Sequence, residues 1–146
     1  MDTHGHLKLV IRYKDGRIVR GITDNFWPTR PSFHVQDVGR VEGSESVEIH
    51  LTDLKAVYVV KDFAGQPGGG ERGDRVSCLE NLRANGTPLR VRFRDGESVL
   101  GSSMSYDPEA IGFFLFPANP NSNNLRVFVI NDAVDRVEHL KVGAGR

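Results

Sequence analysis

The chain repeats itself. Displaced by eighty positions, Leu9–Val60 lies on Leu89–Leu140 without a gap. Ten positions are then identical: Leu9/Leu89, Arg12/Arg92, Asp15/Asp95, Gly16/Gly96, Val19/Val99, Gly21/Gly101, Pro28/Pro108, Phe33/Phe113, Val47/Val127 and Val57/Val137. Average residue usage gives about three matches over such a window by chance. Tyr13/Phe93, Ile11/Val91, Phe26/Tyr106, Ile49/Val129 and Leu54/Val134 are conservative besides. A duplicated unit confines the chain to one small fold built twice.

Each unit reads as β. Leu9, Ile11 and Tyr13 alternate with Lys8, Val10, Arg12 and Lys14, and Leu89, Val91 and Phe93 alternate with Arg90, Arg92 and Arg94. One apolar face at a period of two is a half-buried strand. Lys14-Asp15-Gly16-Arg17 and Arg94-Asp95-Gly96-Glu97 read as Asp-Gly hairpin turns, with glycine at positive φ. A second strand starts at Ile18 or Ser98 and passes through Gly21 or Gly101, where a sheet bends or another backbone comes close. Phe33–Val35 and Phe113–Phe116 give the third strand, Val47–Leu51 and Val127–Ile130 the fourth, Ala56–Val60 and Arg136–Leu140 the fifth. Five short strands in each unit describe a small curved barrel, and the fold class expected is all-β, two tandem five-stranded small barrels. The expected core is Leu9, Ile11, Tyr13, Val19, Phe33, Val47 and Val57 with their partners eighty residues on.

The first barrel spans residues 7–61 and the second 89–141, with a tail at 142–146. Between them, 62–88 holds the Gly-rich loop Gly65–Asp74, then Ser77-Cys78-Leu79-Glu80, which fits a capping box. Asn85-Gly86 supplies a stop, so Cys78–Ala84 reads as a short helix or as an extended segment over a barrel edge.

Charge and composition narrow the function. The chain has 146 residues, with Lys+Arg 19 against Asp+Glu 19. Phosphate affinity comes mostly from surplus cationic side chains, so neutrality weighs against a nucleic-acid partner. One cysteine, Cys78, forms neither an internal disulfide nor a multi-cysteine zinc site. His4, His6, His34, His50 and His139 have no metal-shell spacing, and no nucleophile or phosphate-loop motif occurs. No cofactor is expected. The start MDTHGHLKLV has no apolar signal core and no run approaches the length of a membrane span, so a soluble cytoplasmic protein is expected.

The stretch Ile11-Arg12-Tyr13-Lys14-Asp15-Gly16-Arg17-Ile18-Val19-Arg20-Gly21, followed by Phe26, resembles the first motif of Sm and LSm proteins. Val91–Gly101 followed by Tyr106-Asp107 resembles it equally. The resemblance implies a strongly bent, Sm-like or SH3-like five-stranded barrel in each copy, hence two such barrels in tandem. For RNA binding, Asp107 matches the motif's aspartate, whereas Trp27 stands there in the first copy. Where the second motif has Ile-Arg-Gly, this chain reads Ile130-Asn131-Asp132 and His50-Leu51-Thr52-Asp53. The second copy, in Gly112–Asn124 (GFFLFPANPNSNN), also resembles an uncharacterised bacterial repeat module, which implies an accessory part of a signalling protein. Arg90 and Arg94 share the spacing of the arginines in PilZ cyclic-dinucleotide receptors, and Asp107–Gly112 partly resembles that family's second motif, with Glu109 in place of serine.

Candidate contacts fall into three groups. Trp27 and Arg30 occupy the turn after strand two of the first copy; Trp and Arg are enriched at binding hot spots. Tyr106 and Asp107 occupy the matching turn of the second copy. Asn119, Asn121, Asn123 and Asn124 lie in or beside a loop whose amides offer donors and acceptors in a fixed frame, unless Asx turns consume them. Arg90, Arg92 and Arg94 are candidate anion contacts, and with Lys8, Arg12 and Lys14 they read otherwise as a solvated face paired with acids such as Glu97 or Glu138. The expected function is a non-enzymatic bacterial binding or regulatory module acting through protein contacts. The alternatives are a PilZ-like nucleotide-sensing barrel and Sm-like RNA binding. The two units are expected to pack together, by strand pairing or across apolar faces, leaving monomers or small homo-oligomers.

Overall fold

The computed structural model describes residues 7–23, 26, 30–38, 46–61, 63, 86–117 and 123–140. The first half forms β1 (Leu7–Tyr13), β2 (Ile18–Thr23), β3 (Ser32–Asp37), β4 (Ser46–His50) and β5 (Leu54–Val60). The second forms β6 (Thr87–Phe93), β7 (Ser98–Ser103), β8 (Gly112–Pro117), β9 (Asn124–Ile130) and β10 (Val134–His139). Leu51, expected to end the fourth strand, begins a 3-10 turn instead, and Asn131–Ala133 forms the corresponding turn. Among the described residues no helix is long and apolar enough to cross a membrane. Cys78–Ala84 lies outside them.

The all-β class holds. The strands form one open antiparallel sheet in the order β10-β6-β7-β8-β9-β5-β1-β2-β3-β4, and no pairing among the described residues closes either set of five on itself. Both halves use the same internal order, with the fifth strand beside the first and the fourth at the far side. Their registers agree: Leu9 faces Gly21 in β1·β2, and Leu89 faces Gly101 in β6·β7.

The halves meet where β5 pairs with β9, Val57 opposite Phe128 and Tyr58 opposite Val127. Alternate residues of a strand point to opposite faces. Val57 and Val59 therefore enter one core, while Ala56, Tyr58 and Val60 enter the other. In return β9 sends Phe128 and Ile130 to the first core and Val127 and Val129 to the second. All seven residues of β5 are buried. An unbroken apolar run such as Ala56–Val60 is the signature of a strand covered on both faces.

Leu9, Ile11, Tyr13, Phe33 and Val57 are buried in the first core, and Leu89, Val91, Phe93, Val99, Phe113 and Val127 in the second. Val19, Val47 and Val137 are partly buried against them. Val10 departs from its outward strand position: it is buried in the second core, because the second half covers that face of β1.

The Asp-Gly turns are three residues long. The Tyr13 N–H donates to the Arg17 carbonyl and the Gly16 N–H to the Tyr13 carbonyl, and the same bonds join Phe93, Glu97 and Gly96. Gly16 (φ 98°) and Gly96 (φ 94°) alone take the left-handed conformation in these loops, since no non-glycine residue has positive φ among the described residues. A three-residue hairpin loop needs it once, at its last position.

Two outcomes follow from these geometries. Gly16→Val lowers the thermal midpoint more than Gly16→Asn, since asparagine tolerates positive φ and a β-branched residue does not; equal losses would contradict the turn assignment. At Gly101 a Cβ would lie 2.4 Å from the Phe116 carbonyl oxygen across β7·β8. Backbone cannot give way there, so Gly101→Ala costs about 1–3 kcal/mol in urea unfolding, the usual range for overpacking. An unchanged midpoint would show that β8 does not approach so closely.

Candidate interaction surface

The seam carries a charge network of one polarity. Cations of the first half meet anions of the second: Arg12 Nη1 lies 3.3 Å from Glu97 Oε1, Lys14 pairs with Asp132, and Lys55 pairs with Glu97 and, at 2.9 Å, with Asp95. Lys55 is only 4% exposed, with its ammonium 4.7 Å from the centre of the Phe93 ring. A buried charge is tolerated when it is paired, and here two carboxylates and a ring face replace the lost water. Burial acts to raise the Asp95 carboxyl, but the Lys55 hydrogen bond, the Glu97 N–H and the Lys55 and Arg12 charges hold it below the ordinary carboxylate range. The Lys14 hydrogen bond and charge hold the Asp132 carboxyl low in the same way.

The arginine stripe is largely occupied. Arg90 pairs with Glu138 at 3.1 Å, and Arg94 Nε donates to the Asp132 carbonyl at 2.9 Å. Arg92 has no ion-pair partner among the described residues. In the first half Arg12 and Lys14 of the equivalent stripe point into the seam, so that stripe is an internal contact.

Tyr106 and Asp107 stand together after β7. The Asp107 carboxylate accepts from the Glu109 N–H at 2.9 Å, an Asx turn. Asn131 Nδ2 donates to the Asp107 and Ala110 carbonyls, each at 2.9 Å, and pins the loop. Asn131 occupies the position where the Sm resemblance expects arginine, and it serves the chain's own backbone. Arg30 is exposed, Asn123 accepts from the Lys61 N–H through its carbonyl, and Asn124 is buried in β9. Trp27, Asn119 and Asn121 lie outside the described residues.

Tyr106 also borders a hollow of about 380 Å³ lined by Gly86, Thr87, Ser103, Met104, Tyr106 and His139. Its ring stands edge-on to Phe113 at 4.7 Å and 6.0 Å from His139. Met104 at the rim is 75% exposed. The hollow lies beside β10, an edge strand bonded only to β6 among the described residues. No group of three potential metal ligands occurs among these residues.

Sequence reasoning named Glu97 and Glu138 as acids that pair with the basic stripe, and they do so with Arg12 and Arg90; it passed over Lys55 and Met104, and it did not place Asp132 at the seam or His139 at the hollow. The signal lay in the positions where the copies differ. Val10/Arg90, Tyr58/Glu138, Val59/His139 and Phe128/Glu48 each set an apolar residue at the seam against a polar one at an open end.

A family profile described as a family of unknown function (DUF6982) matches residues 5–141, a span that includes both halves. No curated protein and no solved structure matches the chain significantly.

Asp95 and Asp132 bind fewer protons folded than unfolded. Their contribution to stability is complete above the ordinary carboxylate pKa of about 4 and is lost as pH falls through the depressed folded values. Lys55→Met removes the chief influence that lowers Asp95, so carboxyl NMR titration of that variant shows the Asp95 pKa moving up. An unmoved Asp95 would mean that the ammonium does not reach it in solution.

Proposed function

We propose that this chain, which belongs to the DUF6982 family, is a non-enzymatic bacterial binding module built as two Sm-like five-stranded barrels side by side and acting through protein contacts. The supporting observation is the hollow at the open end of the second half. There an exposed methionine, two aromatic rings and the polar groups of Thr87 and Ser103 border one concavity. Methionine adapts its shape to a partner, and a concavity that mixes apolar and polar groups suits recognition of a side chain.

The barrel reading is supported by the common strand order of the halves and by the apolar cluster that gathers residues from all five strands of each. The bacterial and regulatory setting rests on the likeness of Gly112–Asn124 to a module of signalling proteins. Phosphate recognition is less well supported, because Glu138 and a backbone carbonyl already engage Arg90 and Arg94.

The test is capture from a bacterial lysate, paired with titration of cyclic dinucleotides and short RNA at two salt concentrations. The wild-type chain retains a protein partner that Met104→Glu releases at least several-fold, while neither nucleotide ligand binds. Phosphate contacts weaken steeply with salt. Salt-sensitive nucleotide binding that is lost in an Arg92→Ala/Arg94→Ala variant would overturn the proposal.

A further inference from the structure

We propose that the partner at this open end is a second copy of the chain, whose β4 pairs head to tail with β10. The inference rests on reading the hollow and the β10 edge as a protein-contact surface, and it names what they contact. Among the described residues, β4 and β10 are the strands at the two ends of the sheet. They are the counterparts, eighty residues away, of β9 and β5, the strands that pair at the seam. The chain therefore ends in two edges whose equivalents already fit each other. The seam register carries over directly: Tyr58 opposite Val127 becomes Glu138 opposite Val47, and Val59 opposite Arg126 becomes His139 opposite Ser46.

The hollow is where this contact is unfilled. Its Tyr106 and His139 correspond to Phe26 and Val59 of the first half. At the seam Phe26 packs against Phe114 and Phe128 of the second half, with ring centres 6.3 and 5.9 Å away. Around Tyr106 the corresponding places are open. The residues that would fill them from another copy are His34 and Glu48, the counterparts of Phe114 and Phe128. Both are exposed, and they lie opposite each other on β3·β4 as the two phenylalanines do on β8·β9. Polar residues face a hollow bordered by Thr87, Ser103, Tyr106 and His139.

Charge follows the same correspondence in part. At the seam Arg12 and Lys55 meet Asp95 and Glu97. Between copies, Arg92 and Asp135 meet Asp15 and Arg17, again two charges of each sign. The Lys55–Glu97 pair becomes Asp135–Arg17 with both signs reversed and stays attractive, whereas Arg12–Glu97 and Lys55–Asp95 become the like-charged Arg92–Arg17 and Asp135–Asp15, and Lys14–Asp132 becomes Arg94–Thr52. Asp135, like Arg92, has no ion-pair partner among the described residues, while Asp15 and Arg17 hold each other at 3.1 Å on an exposed turn. Arg136 and Glu138 stand where the seam has Ala56 and Tyr58. Charged edge strands associate weakly, so this contact is reversible and concentration-dependent.

The experiment uses full chains carrying Cys78→Ser, with Ser46→Cys in one and His139→Cys in the other. Directly opposed residues lie about 4.5–5.5 Å apart at Cα, within reach of a disulfide. Mild oxidation of the mixture gives a linked dimer, and neither chain alone does. Adding Arg17→Glu to the first and Asp135→Lys to the second rebuilds the charge set of the seam, removes both like-charge contacts and raises the yield at least several-fold. Linked dimers from one variant alone, or a yield indifferent to this pair of changes, would overturn the proposal. So would sedimentation as a monomer at every concentration. A monomer that still captures another protein through Met104 would sink this inference and leave the protein-contact reading standing; a monomer that captures nothing would remove both.

Discussion

One strand pairing, β5 against β9, governs the rest of the molecule. Because successive residues of each strand enter different cores, neither core is complete without side chains from the other half. Fully burying an aliphatic side chain contributes about 1.5–3 kcal/mol, whereas a partly exposed ion pair contributes about 0–1 kcal/mol. Val57, Val59, Val60 and their partners on β9 therefore hold the halves together. Arg12, Lys14 and Lys55 have a different role. All three present cations to the second half, which fixes which faces meet and penalises other pairings.

That division of labour explains why the copies diverged as they did. Positions facing a half's own core kept their character: Leu9/Leu89, Phe33/Phe113 and Val57/Val137 are identical. Positions on the flank split by location. Ala56 and Tyr58 are buried at the seam, while Arg136 and Glu138 stand on an open edge. An edge strand exposes unpaired backbone groups, and charged side chains moderate its tendency to recruit other strands. Among the described residues the sheet thus has an apolar junction between its halves, and its two end strands are more polar counterparts of the strands that pair there.

Much of the fold was legible from the period-two alternation and the Gly16 and Gly96 turns, and the third, fourth and fifth strands fall where their apolar residues place them. Alternation within one strand says which face is apolar, but not which strand from the other half will cover the opposite face. Val10 looked like an outward residue for that reason; strand pairing between the halves was one of the two expected ways of packing, but that β5 and β9 are the strands that pair was not visible. The contact residues were less legible still. Asp107 matches the aspartate of a binding motif and Asn131 stands in place of its arginine, yet both bond to their own loop. Met104 and His139 come together only through tertiary structure.

Amide hydrogen exchange at the seam tests most directly whether the two halves are one cooperative unit. The amides that bond β5 to β9, around Val57 to Val59, should exchange as slowly as those of Leu9 and Val91 in the two cores, because opening the seam exposes both. Seam amides that exchange much faster, while Leu9 and Val91 stay protected, would show that the halves separate before either unfolds and would contradict the account.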